Sequence, residues 1–150
     1  MNINSVLVVC VGNICRSPLG EHMLAAACPD LYVASAGIAA LVGHGADADV
    51  CEIASAEGFD MQGHSARQFT HDLAKDYDLI LAMEKGHLRV IADLAPALSG
   101  KSMLFGQWMT AQNIPDPYRR SREFHLATFN KIREATDGWA NKLGKHVASN

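Results

Sequence analysis

No stretch of this chain is apolar for long enough to span a bilayer; the run at 6–11 falls far short of the ~20 residues that a membrane helix needs. The same run is too short for the core of a signal peptide, and Met1–Ser5 in front of it carries no basic residue, which argues against secretion. Nor does one sign of charge dominate: 13 lysines and arginines stand against 16 carboxylates, for a formal net charge of −3. That balance supplies no broad basic field for nucleic acid or an anionic membrane, so any anion site must be local. Cysteine is scarce, and Cys10, Cys15, Cys28 and Cys51 are spaced neither as a disulfide framework nor as zinc-ligand pairs. The histidines show no ligand spacing either. These absences predict a protein of the reducing cytoplasm that needs no metal and no cofactor. No internal repeat, low-complexity tract or linker divides the chain, so its 150 residues (1–150) are expected to form one domain.

The informative stretch is Val6-Leu-Val-Val-Cys10-Val-Gly-Asn-Ile-Cys15-Arg16-Ser17-Pro18. A β-branched run ends in a cysteine; an arginine, a hydroxyl residue and a proline suited to a first helical turn follow. This reads as strand, tight loop and helix N-terminus. The backbone N–H groups of such a loop can turn inward and hold an anion. A thiol facing that pocket is favoured as the thiolate. The stretch therefore predicts a cysteine nucleophile, Cys10, that attacks a bound phosphate.

Strand-like and helix-like segments alternate along the rest of the chain. Strands are expected at Ser5–Cys10, Leu31–Ser35, Asp78–Met83 and Lys101–Phe105. Helices are expected at Pro18–Cys28, with Pro18 in the first helical position, and at Asp47–Glu57, Lys85–Leu94 and Arg122–His146, the last weakened in its middle by Gly138. The segment 106–120 should be loop. This order implies an α/β fold: a four-stranded parallel twisted sheet with helices on both faces and right-handed crossovers. Ligands of such sheets bind beyond the carboxyl ends of the strands, which is where Cys10 falls.

Other residues gain meaning from that motif. Arg16 can grip two phosphate oxygens with its planar fork, and a cation at a helix N-terminus suggests an anion between it and the helix. Ser17 can bond the Cys10 sulfur or cap the helix. Gly12 lets the backbone approach the phosphate, and Asn13 tolerates a left-handed backbone while its amide holds the loop. Val11, Ile14 and Cys15 complete the loop. Asp116, between Pro115 and Pro117, is the candidate general acid that protonates the leaving oxygen. Tyr118, with Ile38, Leu41 and Val42 from the glycine-rich segment 37–45, either walls a cleft for an aromatic ring or packs locally. Ser35 and His64 either brace Asn13 from behind or have a purely structural role. Cys15 is either a small apolar filler or the partner of Cys10 in a reversible disulfide that protects the nucleophile. Cys28 and Cys51 read as structural. The cluster Arg119, Arg120 and Arg122 reads equally as a contact for acidic residues beside a phosphotyrosine and as a solvated helix start.

Val9–Pro18 resembles the phosphate-binding loop of the low-molecular-weight protein tyrosine phosphatase family, and Asp116-Pro-Tyr118 resembles its general-acid loop. Ser35-Ala-Gly37 and Gly63-His-Ser-Ala-Arg-Gln68 fall where that family has its supporting serine and histidine. The resemblance extends over essentially the whole chain. Its features at 39–47, 77–84 and 114–123 are similar to those of the bacterial Wzb/Etp type. It implies a tyrosine phosphatase with a cysteinyl-phosphate intermediate, in which Cys10 is the nucleophile, Arg16 binds phosphate and Asp116 is the acid and base. The implied partner is a phosphotyrosine protein, specifically an autophosphorylated bacterial tyrosine kinase that controls capsule or exopolysaccharide export. Two other readings remain at this point. An arsenate reductase on the same scaffold would need further cysteines near the third strand, and Leu79–Arg89 has none. A phosphotyrosine-binding module without turnover would be expected to have lost the thiol or the acid.

Overall fold

The computed structural model describes residues 2–144. The central strand β1 (Ser5–Cys10) is apolar along its length, with Val6 to Val9 fully buried, as a strand covered on both faces must be. It pairs in parallel with β2 (Tyr32–Gly37) on one side and β3 (Leu79–Ala82) on the other; β4 (Ser102–Leu104) completes the order β2-β1-β3-β4. The expected α/β architecture, one domain with a four-stranded parallel sheet, is therefore present.

Alternation along β1 divides the core in two. Val6, Val8 and Cys10 face a cluster with Leu19, Met23, Phe129, Ile132 and Trp139, contributed by α1 (Arg16–Ala27) and α5 (Arg122–Leu143). On the same side lies α2 (Ala48–Ala56), capped by the Asp47 carboxylate, which accepts the N–H groups of Asp49 and Val50. Leu7 and Val9 face the other cluster, where Phe69, Tyr77, Ile80 and Ile91 meet. That face carries the single turn α3 (His71–Ala74), α4 (Lys85–Leu94) and a 3₁₀ segment over Pro96–Lys101.

Several local expectations are corrected, the other strand and helix bounds shifting by one residue. Helix α1 begins at Arg16, so Pro18 holds the third helical position rather than the first. Its missing N–H costs nothing there, because the first turn has no carbonyl partner to donate to. Residue 15, not Ser17, occupies the N-cap, which frees the Ser17 hydroxyl for other work. The second strand runs on to Gly37 because β1 supplies partners up to the Cys10–Gly37 pair. Helix α5 ends at Leu143, where Gly144 turns left-handed with φ +65°; the last two residues of its expected span, 145 and 146, lie outside the described residues. Gly138 does not interrupt α5. A Cβ there would stand 3.3–3.6 Å from the Trp108 side chain, so the glycine gives that indole room against the helix. Helix α3 and the 3₁₀ segment were too short to leave a periodic signal.

Candidate active site

The loop between β1 and α1 is held from outside by its carbonyl groups. Ile38, Ala39 and Leu41 donate backbone N–H bonds to the carbonyls of Cys10, Val11 and Gly12, each at 3.0 Å. His64 Nε2 stands 2.6 Å from the Asn13 carbonyl, and Asp47 N–H donates to Ile14 O at 2.8 Å. Because a carbonyl accepts, His64 carries its proton on Nε2. None of the loop's peptide bonds is cis. A trans peptide sets each N–H opposite the preceding carbonyl. With the carbonyls of residues 11–14 drawn outward, the N–H groups of residues 12–15 turn inward as a ring of donors.

Asn13 is the hub of this arrangement, fully buried with φ +59°. Its Nδ2 donates to Ser17 Oγ at 2.8 Å and to Ser35 Oγ at 3.0 Å, while its Oδ1 accepts the Arg67 N–H at 2.9 Å. Ser35 passes its own proton to Glu21 Oε1 at 2.5 Å. Ser17 Oγ, already accepting from Asn13, lies 2.9 Å from Cys10 Sγ. Ser35 Oγ and His64 Nε2 thus both contact Asn13, one at its side-chain amide and the other at its carbonyl. Glu21 and Arg67 were missed: Glu21 lies three residues beyond the loop motif, and Arg67, although inside the segment 63–68, acts through its backbone N–H, which no residue type announces. Gly12 has ordinary room around an added Cβ, so its neighbours do not demand a glycine. Gly37 does: a Cβ there would meet the Val11 carbonyl oxygen at 2.3 Å.

Arg16 is only 2% exposed, although it opens a helix. Its Nη1 is held by Glu84 Oε2 at 2.5 Å and by the Ile114 carbonyl at 2.7 Å; Nη2 lies 3.7 Å from Asp116 Oδ2. Its Nε has no hydrogen-bond partner among the described residues. The carboxylate that compensates this buried cation was not foreseen. Glu84 stands two residues beyond the end of β3, so the rule that placed Cys10 at the carboxyl edge of the sheet could have found it. His87, one helical turn further, packs its Nε2 3.7 Å from the same carboxylate. Burial pushes its imidazolium below the ordinary histidine range, and the Arg16 guanidinium adds to the effect.

Asp116 accepts the Tyr118 N–H at 3.0 Å through Oδ1, a short turn that points the carboxyl group at the loop. A cleft of about 200 Å³ is lined by Cys10, Gly12, Arg16, Leu41, Asp116 and Tyr118, among others. Val11, Ile14 and Cys15 also line it. Ile38 and Val42 do not: Ile38 packs against the α4-side core, and Val42 is 64% exposed. Cys15 is buried, and burial, reinforced by Asp47 and Asp116, raises its thiol far above the ordinary range. The arginine cluster disperses. Arg122 bonds Glu52 at 2.7 Å, Arg120 stacks on Phe124, and Arg119, with φ +60°, lies over the Tyr118 ring.

The fold and this site define a small α/β enzyme whose anion pocket lies at the carboxyl edge of a parallel sheet. The chain belongs to the low molecular weight phosphotyrosine protein phosphatase family, whose sequence model matches residues 5–149, and it is accordingly a protein-tyrosine-phosphatase. It is 44% identical over 145 residues to the Escherichia coli K12 phosphatase Etp, covering 97% of this chain and 98% of Etp. It is 48% identical over 140 residues to Wzb of Salmonella typhimurium, covering 93% of this chain and 94% of that protein. The structure of Vibrio vulnificus Wzb in complex with benzylphosphonate superposes with a TM-score of 0.93 at 49% identity, covering 95% of this chain and all of the other.

Proposed function

We propose that the chain hydrolyses phosphotyrosine through a cysteinyl-phosphate formed on Cys10. The observation that carries this reading is the single cleft in which a thiol, a buried guanidinium with a free Nε and a carboxyl group surround a ring of inward N–H donors. The Cys10 thiolate attacks phosphorus in line; the sulfur–phosphorus bond forms as the bond to the tyrosyl oxygen breaks. Arg16 and the loop N–H groups hold the equatorial oxygens. Asp116 gives its proton to the departing phenolate. As a carboxylate it then takes a proton from water, and the hydroxide so formed attacks phosphorus and releases inorganic phosphate and the Cys10 thiolate. Ser17 stabilises the sulfur each time it bears charge. Leu41 and Tyr118 flank the entrance, where the aromatic ring of the substrate would lie. The benzylphosphonate held by the Vibrio vulnificus relative is a phosphonate one methylene away from a single aromatic ring, which fits a cleft of this size.

The substrate protein we propose is an autophosphorylated bacterial tyrosine kinase of capsule or exopolysaccharide export. This reading rests on the resemblance to the bacterial Wzb/Etp type; the relatives named Wzb and Etp are low molecular weight protein-tyrosine-phosphatases. Among the described residues no helix is long and apolar enough to cross a membrane, which is compatible with work in the cytoplasm on the soluble part of such a kinase.

The test is phosphate release from a phosphotyrosine peptide and its phosphoserine twin, with a chelator present, by the native protein and by Cys10→Ser. Release from phosphotyrosine alone, lost in the variant, is expected. Turnover that survives the variant would remove the covalent route.

A further inference from the structure

Away from the cleft, His125 is the residue with the least settled surroundings. It lies in the second turn of α5 and is 3% exposed, yet neither ring nitrogen has a hydrogen-bond partner among the described residues. Leaving the polar atoms of a buried ring unmet costs free energy. Water is a poor remedy: the cavity beside the ring measures about 10 Å³ and is walled mainly by apolar groups such as Leu19, Val50 and Phe129, at the lower limit for one water molecule.

Two carboxylates face it. Asp49 Oδ2 lies 3.8 Å from His125 Nε2, and one ligand atom from each of Asp47, Asp49 and His125 lies within 4.8 Å of the other two. Zinc–nitrogen and zinc–oxygen bonds are about 2.0–2.2 Å long, so two ligands of one ion stand up to ~4 Å apart. His125 Nε2 and Asp49 Oδ2 already stand at that spacing, and side-chain shifts of about 1 Å bring the Asp47 oxygen to it as well. We propose that Asp47, Asp49 and His125 bind a divalent transition cation of the zinc type. One imidazole and two carboxylates form a donor set for zinc rather than for calcium or magnesium, which take oxygen ligands, and water from the solvent side, where Asp49 is 66% exposed, would complete the tetrahedron.

The position gives the ion a structural task. Asp47 caps α2 and its N–H bonds the Ile14 carbonyl of the phosphate loop. His125 lies just beyond the Ser121 cap of α5, where the acid loop ends. An ion here ties the start of α2 to the start of α5 along the seam that Arg122 and Glu52 also cross. It touches no reacting atom. The site escaped the sequence reading because its ligands come from two helices far apart in the chain.

The experiment is a calorimetric titration of Zn²⁺ into Cys10→Ser protein, which lacks the thiol that would compete for the metal, followed by the same titration with His125→Phe or Asp49→Asn added. Thermal melts with and without zinc, and the visible absorption of bound Co²⁺, accompany it. One equivalent of binding is expected, with a raised melting temperature and a cobalt spectrum free of thiolate bands. Each added substitution should weaken binding at least ~100-fold, more than the loss seen when groups behind a metal ligand are removed. Should His125→Phe not fold, Asp49→Asn carries the test, because that side chain is 66% exposed. Absence of saturable uptake, or uptake unchanged by the substitutions, would overturn the assignment.

Discussion

Ser17 Oγ lies 2.9 Å from Cys10 Sγ and accepts from the Asn13 amide, so its proton turns to the sulfur, the Ala36 carbonyl at 3.5 Å being the more distant acceptor. Ser17→Ala removes the one side-chain donor to a sulfur that must depart as thiolate. A hydrogen bond to a charged group contributes about 1.5–3 kcal/mol, so kcat should fall roughly 10- to 100-fold. The loss should appear in dephosphorylation: rapid-quench experiments should trap more phosphoenzyme in the variant than in the native protein. No change in kcat or in trapped intermediate would remove Ser17 from the chemistry.

Asp116→Asn keeps the turn that accepts the Tyr118 N–H but cannot give up a proton. A rate loss of roughly 10²–10⁴ is expected with phosphotyrosine, the usual size of general acid–base help. It should shrink with aryl phosphates whose leaving group needs no proton. An equal loss across a leaving-group series would assign the carboxylate a binding role only.

Gly37→Ala places a methyl group 2.3 Å from the Val11 carbonyl oxygen and 3.0 Å from the Asn13 nitrogen, both backbone atoms of the loop. Forcing atoms into a packed site costs about 1–3 kcal/mol. The greater effect should be on activity, because the displaced atoms belong to the donor ring. Denaturant unfolding and kcat/KM, measured together, check this; near-native activity would mean that the loop can shift without harm.

His87 gives the fold a pH dependence. Held neutral by burial and by Arg16, it resists protonation in the folded protein but not in the unfolded chain, where histidine titrates near ~6.5. Its contribution to stability is therefore complete above about pH 6.5 and is lost as the pH falls through the lower folded value. His87→Gln should flatten that part of the stability–pH curve, measured by urea unfolding between pH 7.5 and 5, values chosen to bracket about 6.5. An unchanged slope would place the dependence elsewhere.

The parts of the molecule that sequence made legible share one property: their signals are local. Strand β1 is one apolar run, helix α4 was located residue for residue, and Cys10 through Ser17 are contiguous. Asp116 was legible because two prolines mark its loop. What escaped depends on distant residues meeting. Glu84 neutralises Arg16 from across the sheet edge, and Glu21 reaches Ser35 from α1. The start of α1 was misplaced for a related reason: the loop's bonds to 38–47 and 64 let the helix begin directly at Arg16, with no capping side chain. Val42, read as cleft wall or local packing beside Leu41, is 64% exposed and absent from the cleft lining, a placement that depends on the fold of its loop and leaves no mark in the sequence.

The outward anchoring of the loop carbonyls has a consequence for isotope labelling. Amide hydrogens at residues 12–15 sit on a rigid, largely buried frame, yet face an open cleft instead of a carbonyl. Without a bound anion they should trade with deuterium as quickly as those of an unanchored loop, despite belonging to a segment that five hydrogen bonds hold from outside. An oxyanion such as phosphate or vanadate, seated among them, should slow that exchange at these four positions together while the β-sheet amides stay as they were. The loop thus offers a residue-by-residue record of occupancy that needs neither turnover nor a chromogenic substrate.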